Sequence, residues 1–351
     1  MPATPSPFAA RLIAWQKRHG RHDLPWQDTK DPYRVWLSEI MLQQTQVATV
    51  IPYYQRFLAR FPDLASLAAA PVDAVMAHWS GLGYYARARN LHACAQAVMA
   101  KHGGEFPPQP EAIAALPGIG RSTANAIAVF CFGARVAILD GNVKRLLARH
   151  AGIEGWPGNP AVESQSWRYA ESLLPATEVD TYIQAQMDLG ATICTRSKPK
   201  CESCPVAEDC VARRDERTAE LPTAKPRKAL PERETTMLVL IENDRVLLLP
   251  RPPTGIWGGL LSLPELATGR DAEQEAARLG CRIVSQQALA AVSHTFTHFR
   301  LTIMPLLCEV QSANLAAEPG ARWLAAADLA QAPLPAPIRK LLAVLLDQPA
   351  S

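Results

Sequence analysis

The chain has 351 residues, 48% of them hydrophobic and 20% charged, with a net charge of +3. The length suggests about two domains, the composition excludes wholesale disorder, and so small a net charge announces no nucleic-acid partner on its own. No apolar run reaches the roughly 18 residues that cross a bilayer, and Arg11 interrupts the first apolar stretch before a secretion signal forms. The expected setting is therefore a reducing cytosol. There, eight cysteines serve as free thiols or metal ligands and not as disulfides.

The first part of the chain reads as helical. Asp31-Pro32 is a helix start, a capping Asp followed by Pro at the first helical position. Helical spacing then runs over Tyr33–Phe57, interrupted by Pro52. Further helices are predicted at 63–70, 72–79, 86–102, 110–116, 122–132, 142–150, 161–173 and 180–190. Residues 1–214 carry 22 Lys and Arg against 18 Asp and Glu. Asp215 to Arg233 holds three prolines and nine charges without an amphipathic period and reads as a linker at 215–233. Residues 234–351 reverse the balance, with 9 basic against 11 acidic residues. In this part Thr235–Ile241 and Arg245–Leu249 read as a β-hairpin, His294–Val310 and Ala321–Leu324 as strands, and 271–279 and 336–346 as helices. The fold class expected is α followed by α+β.

Three motifs carry chemistry. Cys194, Cys201, Cys204 and Cys210 are spaced C-x6-C-x2-C-x5-C, so four thiolates can wrap one metal centre. Zinc usually takes two separated C-x2-C knuckles, and a four-iron cluster fits the spacing better, with zinc left as the alternative. Leu116-Pro-Gly-Ile-Gly-Arg-Ser-Thr123 joins two short helices, and Gly118 and Gly120 let its backbone turn tightly and approach a ligand. The amides opening the second helix would suit a phosphate, although a helix–helix turn with a capping Gly reads the same way. Asp140 follows the apolar Ile138-Leu139 and precedes a helix bearing Lys144 and Arg145; by itself it is also a plain N-cap.

The glycine hairpin, the downstream Asp140 and the cysteine loop together resemble the helix–hairpin–helix DNA glycosylase superfamily, which includes endonuclease III. Leu24-Pro25-Trp26, Trp36 to Val47 and Gly81 to Arg87 narrow the resemblance to adenine DNA glycosylases of the MutY type, over nearly the whole chain. It implies a helical glycosylase domain over 1–214 with one [4Fe-4S] cluster. It also implies a substrate: duplex DNA with adenine opposite 8-oxoguanine or guanine, acted on by a monomer at the bacterial nucleoid.

Excising adenine requires a proton for the departing base and a negative charge for the developing sugar cation, a division of labour akin to glycoside hydrolysis. Glu39 lies among Val35, Trp36, Ile40 and Leu42, and facing inward it would be desolvated and held protonated; facing outward it would sit beside Lys30 or Arg34. Asp140, at a helix N-terminus, would be held ionised. The resemblance gives Glu39 the protonation of adenine N7, Asp140 the stabilisation of the oxocarbenium ion or covalent intermediate, and Asn142 the orientation of Asp140. It places Gln43, Gln44 and Tyr84 near the partner base and Trp26 in the adenine pocket. Bifunctional relatives carry a Schiff-base lysine where this chain has Ser122, so little strand cleavage is expected.

The second domain resembles the MutT-type (Nudix) fold through Trp257-Gly258-Gly259-Leu260 and Leu263-Pro264-Glu265. No REx2EExG carboxylate set follows, and Glu273 and Glu275 are wrongly spaced for one, so a binding module is expected and not a second enzyme. The resemblance assigns lesion reading to Phe296, Thr297 and His298. Competing readings are a bifunctional pyrimidine-lesion lyase, a ferredoxin-like electron carrier and a DNA-binding protein without catalysis.

Overall fold

A computed structural model describes residues 7–226, 230–252, 255–296, 298–312, 320–329 and 332–346. The chain divides into two compact units: described residues within Met1–Ala70 and Arg89–Arg227 form the first, and those within Pro71–Ala88 and Lys228–Ser351 the second. No described helix is long and apolar enough to cross a membrane.

The first unit is built from α1 (Pro7–His19), α2 (Pro32–Leu42), α3 (Val47–Arg60) and α4 (Leu64–Ala69). After α5 (Val72–Trp79), which belongs to the second unit, and α6 (Ala86–His102), which crosses the division, it continues through α7 (Pro110–Ala114), α8 (Arg121–Phe132), α9 (Gly141–Ala151), α10 (Pro160–Ser172), α11 (Val179–Thr192) and α12 (Val211–Arg214). Helix α1 is not among the helices expected from the sequence. Its Phe8, Ala9, Leu12 and Ile13 share one core with Val143, Leu146 and Leu147 of α9 and Tyr182, Ile183 and Leu189 of α11. That core fixes the N-terminus of α9, where Asp140 stands.

The single interrupted helix expected over Tyr33–Phe57 is two helices, and Pro52 does not mark the break. The break falls at residues 43–46, where Gln44 takes a left-handed φ of 58°. Pro52 lies inside α3, the sixth residue of that helix. At the break, Thr49 and Val50 donate their amides to the Gln46 carbonyl and restart the helix.

In the second unit, strands β1 (Glu232–Glu242), β2 (Arg245–Pro250) and β3 (Leu261–Ser262) precede helix α13 (Ala272–Arg278). Strands β4 (Cys281–Ala288), β5 (Val292–Thr295), β6 (Arg300–Ser312) and β7 (Arg322–Ala325) follow, then α14 (Ala336–Leu346). The sheet order is β3-β2-β1-β6-β4, with β5 on β6 and β7 on β2. Strands β1 and β6 run parallel from Glu232 opposite Arg300 to Ile241 opposite Glu309, and the other named pairs are antiparallel. Ala272, Ala276 and Leu279 on and just beyond α13 cover Leu238, Leu240 and Cys308 of the sheet.

The strand expected over His294–Val310 is a hairpin, β5 returning as β6 through Phe296–Phe299, where the Phe296 amide donates to the Phe299 carbonyl at 2.8 Å. Ser293 to Thr302 contains no Gly, Pro, Asn or Asp, so the turn leaves no mark in the sequence. Strand β4 was not expected either: five of its eight residues are exposed in succession at its end, which leaves no alternating pattern. The stretch read as a linker is tied down over its first half. Leu221 is buried, its carbonyl accepts from Arg149 Nε at 2.8 Å, and Arg217 pairs with Glu154.

Candidate active site

One cleft of about 1320 Å³ in the first unit is lined by Trp26, Glu39, Gln43, Gln44, Ser122, Asp140 and Asn142. Seven side chains singled out from the sequence thus converge, although they span more than a hundred residues of chain. Helix α2 brings Glu39. Asp31 caps it by accepting from the Tyr33 amide at 2.9 Å, and Tyr33, Val35, Trp36, Leu37, Ile40 and Met41 are buried around it. Glu39 is half-buried and opens on the cleft. Burial first, and the Asp140 charge second, push its carboxyl up to about 8.

Asp140 is the N-cap of α9, its Oδ1 accepting from the Val143 amide at 2.7 Å. From the sequence, this helix terminus is expected to favour the ionised form. The force is present, since the Val143 and Asn142 amides, Arg145 and Lys144 all act to lower the pKa, yet burial outweighs them and the carboxyl lies above its ordinary value. The two carboxyls differ in their surroundings: Asp140 has amide and cationic partners that act against its burial, whereas Glu39 has burial and an anion for neighbour, both of which act to raise it.

Ser122 Oγ accepts from the Leu139 amide at 3.0 Å, which anchors the residue before Asp140 to the second position of α8. Asn142 Oδ1 accepts from Arg145 at 3.0 Å, and Arg145 also donates to the Gly190 carbonyl at 2.6 Å and the Cys194 carbonyl at 2.8 Å. Arg145 thus joins the cleft to the start of the cysteine loop; the sequence showed it only as a basic residue on a helix. Gly190 lets α11 approach, because a Cβ there would lie 2.6 Å from Asn142 Cβ. Trp26 is buried edge-to-face with Tyr54, ring centroids 5.3 Å apart.

Gly118 and Gly120 lie in the turn between α7 and α8. Gly118 has φ 74°, and a Cβ on it would meet Asn90 Cβ at 2.5 Å, so this position requires glycine. Gly120 caps α8 with no side-chain acceptor and faces open space, which leaves first-turn amides available to an anion. Arg121 stacks on Trp167 at 3.9 Å and pairs with Glu171, so its guanidinium is already engaged by α10.

Tyr84 belongs to the second unit, half-exposed with φ 49°. Phe296 and His298 lie in the β5–β6 turn of the same unit, ring centroids 6.1 Å apart; Thr297 lies outside the described residues. Trp257 packs on Phe296 at 5.5 Å and ties the glycine-bearing turn to this hairpin. On α13 Glu275 is buried between Arg270 and Arg278, which already occupy its carboxylate.

The four cysteines line one small cavity with Arg149, His150, Ile193 and Val206. The Cys194 amide donates to the Leu189 carbonyl at 2.7 Å, Cys201 opens a short 3-10 turn, and Cys210 caps α12. Arg149 is buried, donates to the Cys194 sulfur at 3.4 Å and holds the loop through the Thr195 and Arg196 carbonyls. Among the described residues no three His, Cys, Asp or Glu side chains are grouped as around a single metal ion. Burial pushes the Cys204 thiol up to about 11 and raises Cys210, with Cys194 and Cys201 adding to both. Four thiolates gathered here need a cationic centre to neutralise them, and the donor set fits an iron–sulfur group. His150 stands beside them, its ring held neutral because burial lowers it to about 4.

The HhH-GPD superfamily of base excision DNA repair proteins matches residues 37–172, the iron–sulfur binding domain of endonuclease III matches 194–210, and the NUDIX domain matches 236–344. The adenine DNA glycosylase of Buchnera aphidicola subsp. Acyrthosiphon pisum (strain APS) is 38% identical over 300 residues, 86% of each chain. That of Homo sapiens is 33% identical over 407 residues, covering 97% of this chain and 74% of the human one. The chain belongs to the adenine DNA glycosylase family. It is a DNA N-glycosylase of base excision repair with an iron–sulfur binding domain, and its fold is a helix–hairpin–helix domain followed by a Nudix-like one. Among solved structures, a thermostable thymine-DNA glycosylase is 28% identical with a TM-score of 0.53, covering 59% of this chain and 95% of that one.

Proposed function

We propose that this glycosylase removes adenine mispaired with 8-oxoguanine, or with guanine, and leaves an abasic site without cutting the strand. The observation that carries the chemistry is Glu39, raised to about 8 in the same cleft as Asp140. At neutral pH it is an acid positioned to give its proton to N7 of a flipped adenine. Asp140 then faces the sugar as an anion and stabilises the oxocarbenium character that develops, while Asn142 and the Ser122–Leu139 bond fix its approach. Ser122 supplies no amine, so no imine with the sugar forms at this position.

Cys194, Cys201, Cys204 and Cys210 would hold one [4Fe-4S] cluster. When bound, the cluster supplies structural cross-linking of the loop and not bond-breaking chemistry, and Arg196, Lys198 and Lys200 on that loop offer charge to the DNA backbone. Gly118 and Gly120 grip a phosphate, Gln43, Gln44 and Tyr84 attend the partner base, and Trp26 lines the adenine pocket. Residues 234–351 act as a lesion-reading module through Phe296, Thr297 and His298, and the enzyme works as a monomer on nucleoid DNA in the cytoplasm. Single-turnover reactions on duplexes with A:8-oxoguanine, A:G and A:T, resolved with and without alkali, test this reading. Excision from the two mispairs, with strand breaks only after alkali, is expected. Nicking without alkali, or excision from A:T at the same rate, contradicts it.

A further inference from the structure

His150 stands on α9 next to Arg149 and lines the cavity that all four cysteines line. Its ring is fixed on two sides. Phe8 meets it edge-on with centroids 4.5 Å apart, and its Nδ1 lies 2.8 Å from the Tyr169 hydroxyl. Only 7% of the residue is exposed. Its Nε2 is buried and has no hydrogen-bond partner among the described residues. With the Tyr169 hydroxyl donating to Nδ1, the proton of the neutral ring sits on Nε2. A buried N–H is rarely left without an acceptor in a native protein. The cavity it shares is walled by Leu146, Ile193, Val206 and Ala207; its polar lining is the four cysteines with Arg149, Lys200, Arg213 and Thr218, and the three cations offer a ring N–H no acceptor.

We infer that His150 donates its Nε2–H to a sulfur of the iron–sulfur cluster held by Cys194, Cys201, Cys204 and Cys210, and so raises the reduction potential of that cluster. The inference rests on the iron–sulfur reading of the cysteine loop. A hydrogen bond to sulfur stabilises the more negative, reduced form of a cluster, and burial of the donor strengthens the effect. Tyr169 is then a positioning residue, because its hydroxyl selects the tautomer that presents the proton to the cavity.

Holoenzyme, His150→Leu and His150→Gln are compared by iron content, visible absorption and protein-film voltammetry. His150→Leu should keep the iron and shift the potential downward, and His150→Gln, which restores an N–H, should recover part of that shift. Pulsed EPR of the paramagnetic cluster in wild-type protein labelled with 15N-histidine should show a nitrogen coupling that His150→Gln lacks; this measurement stands even where His150→Leu fails to fold. Iron-loaded protein with an unshifted potential in His150→Leu and no histidine coupling overturns the inference alone. Wild-type protein without iron overturns the iron–sulfur reading as well.

Discussion

Glu39→Gln keeps the size of the side chain and removes its titration, so it separates the energetic cost of the acid from its use. The native chain holds Glu39 protonated up to about pH 8, whereas the unfolded chain ionises it near 4.5. Because the folded value is the raised one, the contribution to stability is complete below about 4.5, declines as pH rises, and is lost in full above about 8. At pH 7 native Glu39 must take up a proton 2.5 pH steps above its unfolded value of 4.5, which at 1.36 kcal/mol per step costs about 3 kcal/mol. Glutamine carries no such cost. Urea denaturation followed by tryptophan fluorescence should therefore find Glu39→Gln more stable than wild type by about 3 kcal/mol at pH 7, and by under about 1 kcal/mol at pH 5. The same variant should lose nearly all adenine excision and still bind the mispair. A difference in stability that does not change between pH 5 and pH 8, or a variant less stable than wild type throughout, would refute the reasoning.

Asp140→Asn keeps a competent helix cap and should cost two to three orders of magnitude or more in single-turnover excision, the usual scale for removing electrostatic stabilisation from a cleft; a rate near wild type counts against its role. Ser122→Lys gives up the bond to the Leu139 amide, at roughly 1 kcal/mol of stability. It should gain borohydride-trappable DNA adducts, and none in the variant would show that position 122 does not reach the sugar. Thr297→Ala combined with His298→Ala should weaken binding to A:8-oxoguanine about tenfold or more, the worth of one base-edge contact, and leave A:G binding largely unchanged. Equal losses on both duplexes assign the β5–β6 turn to general affinity.

Motifs made much of the site legible, because its residues fall in short runs whose local structure is self-determined. Asp140 caps α9 as its place before a helix suggests, and Gly118 has the positive φ its turn requires. What escaped depends on distant packing. The net direction of the Asp140 titration is set by burial, which depends on how distant elements pack about the start of α9 and which no local pattern encodes. Arg145 and His150 look like ordinary helix residues until α11, the cysteine loop and α10 supply their partners. The break between α2 and α3 was misplaced because proline is a strong local signal, whereas Gln43 to Gln46 have no composition that announces a left-handed residue. The β5–β6 turn escaped for a like reason: the Phe296–Phe299 backbone bond closes it and their rings stack at 4.7 Å, with no Gly, Pro, Asn or Asp to announce it.

The central claim is that a protonated Glu39 beside an anionic Asp140 breaks the bond to adenine, and the pH dependence of single-turnover excision from an A:8-oxoguanine duplex tests it most directly. The rate constant should hold level near neutrality and fall about tenfold per pH unit above about 8, as Glu39 loses its proton. A rate constant that stays level well beyond that pH would contradict the assignment of Glu39 as the acid.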